Sequence, residues 1–499
     1  MSTQSERLRT WAGTLADITG ALALLDWDRD TMMPSSAADA RGHQIATLAV
    51  LHHRELVRPE FGEIVAARAA DPDAAPSARR EAQLLAHQRE RAERVPEALV
   101  RQLSEAASEA LAVWTDARER GDWDSLRGPL GRLVALKRHE AQAISGGHEL
   151  YDALLDEHEP GAHAAELAPI FTALAERLSP LVASGTAQPP PTLPQRDWPR
   201  AAQLQLAHDV AALIGFDLTA GRIGESAHPF SSSSGLGDVR FATRIDERNP
   251  ISNVLSVLHE AGHAMYEQGF DPDYARTMLW DAPSLSAHEA LARFWENHVG
   301  GALEFWRIIE PRMRELFPAA MRGLDAGDFH VATATVCPSL VRVEADEVTY
   351  NLHIVLRFEL EQALITGALD VRDLPEAWNA RMDELLGVVP DSPADGVMQD
   401  VHWADGLFGY FPTYTLGNLY AAQLAAAADI ALGGLSAAIA GGGFADILGF
   451  MRSRIHRHGA LYPTAELMER ATGVPLGADM LIAHLERRTL ASASTRGTD

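Results

Sequence analysis

The chain of 499 residues has one lysine, one cysteine and little sequence with the two-residue period of a β-strand. A Walker A loop, a protein-kinase lysine or a Schiff base would have to use Lys137, whose neighbours form an amphipathic helical pattern without glycine. Enzymes of those classes are therefore disfavoured. Because Cys337 stands alone, no intrachain disulfide can form, which favours a reducing compartment.

Positive charge is also scarce. Lys and Arg number 43 against 69 Asp and Glu, which gives a formal charge of −26. This field repels phosphate backbones and anionic lipids, so we expect no nucleic-acid partner and no membrane association. The most apolar stretch, residues 415–450, is broken by Asp429, Asp446 and several glycines, and the N-terminus lacks the apolar core of a signal peptide. We therefore expect a cytoplasmic protein.

Helical periodicity dominates what remains. It predicts helices or helix pairs at about 5–25, 39–70, 76–118, 122–157 and 163–184. The proline-rich stretch 185–199 predicts a boundary between two helical lobes of a single domain, at about 1–185 and 200–488. Residues 489–499 are predicted to be disordered. The fold class is mainly α.

The best strand candidate is residues 238–246, in which apolar and polar side chains alternate. It precedes the most informative motif of the chain. A strand in this position could hold an extended peptide along its edge by backbone hydrogen bonds.

That motif is H-E-A-G-H at positions 259–263, which matches H-E-x-x-H. In a helix, His259 and His263 lie on one face, where both imidazoles reach a single Zn²⁺. Glu260 then lies beside the metal, in position to act as general base on water. The alternative is a core helix with two satisfied histidines.

The flanking residues favour a helix of the required length. Asn249 is a suitable N-cap, Pro250 suits the first helical position, and Gly269 suits the C-terminal stop. Gly262 costs a helix about 1 kcal/mol relative to alanine. Its presence is explained if another element approaches the helix beside the metal.

A catalytic zinc site needs a third protein ligand. Glu289 is one candidate, 26 residues after His263, and Glu296, two turns further along the same predicted helix, competes with it. The spacing Ser286-x-x-Glu289 also matches a capping box, in which the glutamate would only satisfy the helix N-terminus. The pattern alone leaves ligand and cap equally open.

Several further blocks of sequence are informative: LLDWD at 24–28, HPF at 228–230, GDVR at 237–240, HE at 288–289, VRVEADEVTYNL at 341–352, QDVHW at 399–403, FGYFPTY at 408–414 and IHRHG at 455–459. Together with the H-E-A-G-H motif, these blocks resemble the carboxypeptidase Taq family of metallocarboxypeptidases, and the likeness spans almost the whole chain.

The resemblance implies a large helical, neurolysin-like fold with a deep active-site groove and a small antiparallel β-sheet. It also implies that Glu289 is the third metal ligand. For two histidines and a carboxylate, zinc is the default metal and cobalt also fits. The family usually follows this His-Glu pair with Ser, Gln and Ser, where this chain has Ala290, Leu291 and Ala292. That departure predicts weaker support of the ligand and lower activity, because residues around a ligand tune metal affinity by about 10- to 100-fold.

The roles implied for the remaining residues follow from peptide hydrolysis. Glu260 moves the proton, and the oxyanion needs a hydrogen-bond donor, for which His402, Tyr410 and Tyr414 are candidates. The resemblance favours His402 and Tyr414 as catalytic residues and leaves Tyr410 to substrate binding. The alternative for these side chains is a core position with a satisfied polar tip.

A carboxypeptidase must also recognise a free carboxylate, which an arginine fork does best. Arg342 is the first candidate, and its alternative is a structural ion pair with Glu344, Asp346 or Glu347. Arg240, on the predicted strand, is the second.

Three functions fit these observations. The first is a zinc-dependent carboxypeptidase that releases single residues from peptides with a free C-terminus, with broad specificity and as a homodimer, as the resemblance implies. The second is an oligopeptidase that cuts internal bonds. The third is a metal- or peptide-binding protein without catalysis, which the intact Glu260 disfavours.

Overall fold

The computed structural model describes residues 4–185 and 193–495, which fold mainly into α-helices joined by short turns. The predicted mainly α fold is confirmed. The helices are α1 (Gln4–Thr31), α2 (Ala38–Leu56), α3 (Pro59–Ala70), α4 (Pro76–Arg94), α5 (Glu97–Arg120), α6 (Trp123–Ile144), α7 (Leu150–Leu155), α8 (Ala164–Gly185), α9 (Arg200–Ile214), α10 (Pro250–Gln268), α11 (Leu285–Arg293), α12 (Leu303–Leu316), α13 (Ala326–Thr333), α14 (Glu347–Thr366), α15 (Leu374–Leu386), α16 (Pro412–Leu432), α17 (Leu435–Ala440), α18 (Phe444–Arg454), α19 (Thr464–Thr472) and α20 (Asp479–Thr495).

The first eight helices correspond to the five stretches predicted from periodicity. Two prolines mark helix starts. Pro59 and Pro76 each begin a helix, where a backbone N–H would have no acceptor within the helix and its absence does not destabilise it. Helix α20 runs to Thr495, into the segment predicted to be disordered. Residues 186–192 of the predicted boundary, and residues 496–499, lie outside the described residues, so the two-lobe division stays a prediction. Among the described residues, no helix combines the length and apolarity that a bilayer crossing needs.

The described residues form two compact units, each assembled from three stretches of chain. The first unit contains residues 4–93, 193–330 and 420–476, and the second contains 94–185, 331–419 and 477–495. Part of the first unit's core lies among α1 to α4, where Trp11 stacks on Phe61 with ring centroids 4.4 Å apart. A cluster in the second unit packs Ala106 and Ala110 of α5 against Leu133 of α6 and Ala404.

A three-stranded sheet lies in the first unit. Its strands are β1 (Gly221–Glu225), β2 (Phe230–Gly235) and β3 (Asp238–Thr243), in the order β1-β3-β2. The predicted strand is therefore present, but two expectations are wrong. The sheet is mixed, since β3 pairs parallel with β1 and antiparallel with β2. Because β3 is central and both its edges are paired, it has no edge to offer a peptide.

Helix α10 begins and ends where its sequence predicts. The Asn249 side chain accepts a hydrogen bond from the backbone N–H of Ser252, Pro250 occupies the first turn, and Gly269 is the C-cap. The apolar face of α10 is buried, including Val254, Leu258 and other residues of the same stripe. The helix is thus fixed by local caps and by its packing in the first unit.

Gly262 allows α10 and α11 to approach closely. A Cβ atom at Gly262 would lie 2.7 Å from the Ala292 Cα and 2.9 Å from the Leu291 carbonyl oxygen. Real Cβ atoms do not come so close to backbone, so any side chain would force the two helices apart. The expectation that another element approaches Gly262 is confirmed.

We predict that Gly262→Ala destabilises the protein by about 1–3 kcal/mol, because the added methyl group overpacks a backbone contact that cannot move aside. Its matched control is Gly449→Ala on the exposed face of α18, where a Cβ meets nothing within 4 Å. There alanine should stabilise by about 0.5–1 kcal/mol through helix propensity. Urea unfolding of both variants measures the difference, and equal stabilisation by the two would disprove the helix contact.

Candidate active site

Two adjacent helices of the first unit bring together three side chains that could hold a metal ion. Helix α10 presents His259 and His263, and α11 presents Glu289. One ligand atom from each residue lies within 4.8 Å of the others. The Glu289 Oε2 atom is 3.8 Å from the Nε2 of His259 and 3.6 Å from the Nε2 of His263.

These separations fit a cation better than direct hydrogen bonds. Distances of 3.6 Å and more are too long for an N–H···O bond. Zinc bound tetrahedrally at about 2.0–2.1 Å holds its ligand atoms about 3.4 Å apart. Two imidazoles and a carboxylate are also the donor types that a catalytic zinc site uses. The residues present therefore fit a divalent metal.

A second ring of groups holds the three side chains in place. Glu296 bonds the Nδ1 of His259 through its Oε2 at 2.8 Å, which directs the histidine's Nε2 toward Glu289. Arg293 donates to Glu289 at 2.7 Å and to Glu296 at 3.0 Å. Glu296, the competing ligand candidate, thus supports a ligand. Arg293 was missed, although its position four residues after Glu289 on a helix was a signal for this contact.

The capping-box interpretation of Glu289 is wrong. Helix α11 is capped by Ser284, whose hydroxyl accepts from the backbone N–H of Ala287 at 3.2 Å. Ser286 lies inside the helix, so its spacing to Glu289 has no capping role. Because α11 starts earlier than the motif suggested, Glu289 is on its second turn, toward the histidines of α10.

The electrostatics of this cluster favour a positive charge. Burial lowers the pKa of His259, but the adjacent carboxylates of Glu289 and Glu296 raise it to about 9. Burial raises the pKa of Glu260 to about 7 and holds that of His263 well below its usual value. The Arg293 guanidinium bonds Glu289 and Glu296, and these two carboxylates also raise the pKa of Glu260. A divalent cation held by the three side chains would take the place of the proton that the carboxylates favour on His259.

A further histidine supports the second ligand. The His288 ring stacks on His263 with centroids 4.4 Å apart and planes 14° from parallel, and its Nε2 lies 2.9 Å from a Glu267 oxygen. The stack limits rotation of the His263 ring. Glu289 and His288 are neighbours in sequence, so one turn of α11 provides both a ligand candidate and the ring that stacks on His263.

The remaining candidates, except Arg240, belong to the second unit. Arg342 lies in a short 3₁₀ turn and is buried. Its Nε and Nη2 atoms donate to the Asp400 carboxylate at 2.8–3.2 Å, and Nη1 donates to the Tyr350 hydroxyl at 3.1 Å. These bonds use three of the five guanidinium N–H groups. The ion pair considered for Arg342 therefore exists, but with Asp400 and not with the three nearer acids.

Asp400 is shared by two arginines. Arg357, fully buried against Trp378, reaches the same carboxylate at 2.6 Å and also donates to the Gln399 side chain at 2.9 Å. Burial would raise the pKa of Asp400, but Arg357 and Arg342 hold it far below its usual value. Arg357 also lowers the pKa of the buried Glu361 carboxylate, so the two guanidiniums have a second acid near them besides Asp400.

Next to Arg342 lie the aromatic candidates. The Arg342 guanidinium is 5.1 Å from the Tyr414 ring centroid, and the Tyr414 hydroxyl is 3.3 Å from the Nε2 of His402. Tyr410 contacts both rings, at centroid distances of 5.3 Å to His402 and 5.5 Å to Tyr414. Burial lowers the pKa of His402 to about 4, so its imidazole is neutral at pH 7. The second unit thus brings four predicted residues together.

Arg240 stands on β3 in the first unit. Its guanidinium makes a two-point bond with Asp238 at 2.6–2.7 Å and lies over the Trp27 ring. The fork of Arg240 is therefore already occupied by a neighbour on its own strand.

Comparison with known proteins places this site in a family. The family described as carboxypeptidase Taq (M32) metallopeptidase matches residues 7–489. The chain belongs to this family. It is 44% identical over 485 residues to thermostable carboxypeptidase 1 of Thermus thermophilus, with 93% of this chain and 94% of that protein covered. Carboxypeptidase 1 of Bacillus subtilis is 32% identical, with 94% of each chain covered.

Solved structures agree. The M32 carboxypeptidase from Deinococcus radiodurans R1 superposes with a TM-score of 0.96 at 35% identity, covering 99% of this chain and 100% of that one. Metallocarboxypeptidase 1 of Trypanosoma cruzi gives 0.94 at 31% identity, with 97% and 99% covered. The protein is thus a metallocarboxypeptidase, and the resemblance seen in its sequence is confirmed. Membership also implies a divalent metal, which the cluster of His259, His263 and Glu289 fits.

For this M32 chain we predict that Glu296→Ala weakens Zn²⁺ binding by about 10- to 100-fold, because His259 loses the carboxylate that orients it. Competition with a chromogenic chelator measures the dissociation constant. The control is Glu315→Ala, which removes an exposed carboxylate of α12. An unchanged affinity in Glu296→Ala would show that Glu296 does not support the metal site.

Proposed function

We propose that the protein is a zinc-dependent carboxypeptidase that removes single residues from the C-termini of peptides with broad specificity. The observation that carries this proposal is the partly buried cluster of His259, His263 and Glu289, with Glu260 between the two histidines on the same helix. The family membership supplies the reaction class. Zinc is supported by the two-imidazole, one-carboxylate donor set, and cobalt would also suit these donors.

Hydrolysis of a peptide bond needs an activated water and a proton transfer to the departing amine. When bound by the three ligands, a divalent metal supplies Lewis-acid chemistry, polarising the scissile carbonyl and acidifying water. Glu260 takes a proton from the attacking water as the C–O bond forms. It then delivers that proton to the amide nitrogen as the C–N bond breaks. Its place in the motif, one residue after His259, supports this role.

Carboxylate recognition is assigned to Arg342. The bonds of Arg342 to Asp400 and Tyr350 use three of its five guanidinium N–H groups, and an arginine fork is the group best suited to bind a carboxylate. Arg240 remains a second substrate-binding candidate, although its pair with Asp238 would have to be shared or broken.

The oxyanion is assigned to the donors of the second unit. His402 is neutral and has an N–H to donate, and the hydroxyl of Tyr414 is a second donor. Tyr410, packed on both rings, is assigned to substrate binding. These roles rest on the matched sequence blocks and on the geometry within this group.

Two further properties are part of the proposal. The family resemblance supports a homodimer, which light scattering of the purified protein tests. The single cysteine and the acidic composition support a cytoplasmic location.

The function is tested with a peptide of about ten residues of mixed sequence, incubated with zinc-loaded protein and followed by mass spectrometry. We expect products that shorten one residue at a time from the C-terminus, and no cleavage of the same peptide as its C-terminal amide. Internal fragments from both peptides would establish an oligopeptidase and remove Arg342 from its role. No cleavage of either would mean that catalysis has been lost.

We predict that Glu260→Gln lowers kcat by at least about 100-fold, because the amide cannot accept the proton of water. The Zn²⁺ affinity should stay within about threefold of the original, since Glu260 is not a ligand. Steady-state kinetics and chelator competition measure the two quantities. Retained activity would assign the proton transfer to another group.

A further inference from the structure

Glu361 of α14 is a fully buried carboxylate that accepts three hydrogen bonds from distant parts of the second unit. Its Oε2 atom accepts from the Tyr151 hydroxyl at 2.8 Å and from the Gly409 backbone N–H at 3.1 Å. Its Oε1 atom accepts from the Trp403 indole N–H at 2.9 Å. None of the motifs recognised in the sequence contains this residue.

Two of these donors belong to one irregular segment. Residues 400–411 form turns and no regular helix, and a backbone bond from the Leu407 N–H to the His402 carbonyl at 2.8 Å closes the central loop. Trp403 directly follows His402, and Gly409 directly precedes Tyr410. Glu361 therefore fixes the segment at both ends, each time beside a residue proposed to act on substrate.

The anchored conformation leaves little room for adjustment. Gly409 has φ +78, and a Cβ there would lie 2.6 Å from the Leu155 backbone nitrogen, so the segment packs tightly on the end of α7. Burial raises the pKa of Glu361 to about 7, although the hydrogen bonds from Trp403, Tyr151 and Gly409 lower it. Because Glu361 is fully buried, a donor left without its acceptor here would be costly.

We infer that Glu361 is a positioning residue, whose carboxylate holds the 400–411 segment so that His402 and Tyr410 are correctly oriented. This inference rests on the proposed function, because the roles of His402 and Tyr410 are themselves proposed. It assigns Glu361 no contact with substrate. Misorientation of a reacting group by about 1 Å can cost about 100-fold in rate.

The test variant is Glu361→Gln, assayed at pH 8, where the original carboxylate is ionised. Glutamine keeps the shape but replaces one acceptor oxygen with an NH₂ group, which must face either the Trp403 or the Gly409 N–H. We expect kcat to fall by about 10- to 100-fold, while the Zn²⁺ dissociation constant stays unchanged.

The matched control is Tyr151→Phe, which also removes one hydrogen bond to the same carboxylate but leaves both anchors of the segment. This variant should lose about as much thermal stability as Glu361→Gln but keep kcat within about twofold of the original value. If the two variants lose kcat equally, Glu361 has only a structural role and the inference is overturned. If Glu361→Gln does not fold, Trp403→Phe removes one anchor with the carboxylate intact, and should lower kcat by at least about fivefold.

A readout independent of activity separates this inference from the proposed function. Amide hydrogen exchange over residues 402–410 should accelerate at least about tenfold in Glu361→Gln and stay unchanged in Tyr151→Phe. If the original protein trims no peptide but this difference appears, the proposed function fails and the anchoring stands. If exchange is equal in the two variants, the anchoring itself is wrong.

Discussion

The backbone contact between α10 and α11 is the constraint on which the metal cluster depends. Two histidines on one helix can place two imidazole nitrogens, but the third ligand must come from another element within about 4 Å. The absence of a side chain at Gly262 lets the Ala292 backbone come close enough for Glu289 to reach both histidines. A helix interior would gain about 1 kcal/mol from alanine at that position. Gly262 therefore lowers the local stability of α10 but allows α11 to approach closely enough to bring Glu289 to the histidines.

Buried charge marks both groups of candidate residues. In the first unit, Glu289 and Glu296 bond Arg293 and raise the pKa of His259 to about 9, so the cluster favours a positive charge. In the second unit, Arg342 and Arg357 share the carboxylate of Asp400. Proteins seldom bury charged groups without partners. The first group fits the divalent metal that the family implies, and the second contains the arginine that is proposed to bind a peptide carboxylate.

How much of this could be predicted depends on how local the signal is. Asn249, Pro250 and the apolar stripe determine α10 within one segment, and the sequence predicted that helix correctly. The sequence left Glu289 open between ligand and cap, because Ser286 three residues before it matches a capping box, and only the structure shows that Ser284 caps α11. The sequence could not predict the partner of Arg342, because Asp400 is 58 residues away and three other acids lie much nearer in the chain. Pairing across such distances is set by tertiary structure, which periodicity and caps do not encode.

The departure at Ala290, Leu291 and Ala292 also acquires a physical explanation. All three side chains are fully buried, and Leu291 and Ala292 form the backbone surface that meets Gly262. Hydroxyl groups there would need buried partners, whereas alanine needs none. The ligand is held by Arg293, whose guanidinium bonds both Glu289 and the Glu296 that orients His259. Because charge-assisted bonds are about twice as strong as neutral ones, this bridge can keep Glu289 in place without the polar residues usual in the family. The departure thus leaves the candidate ligands supported, which argues for a working enzyme.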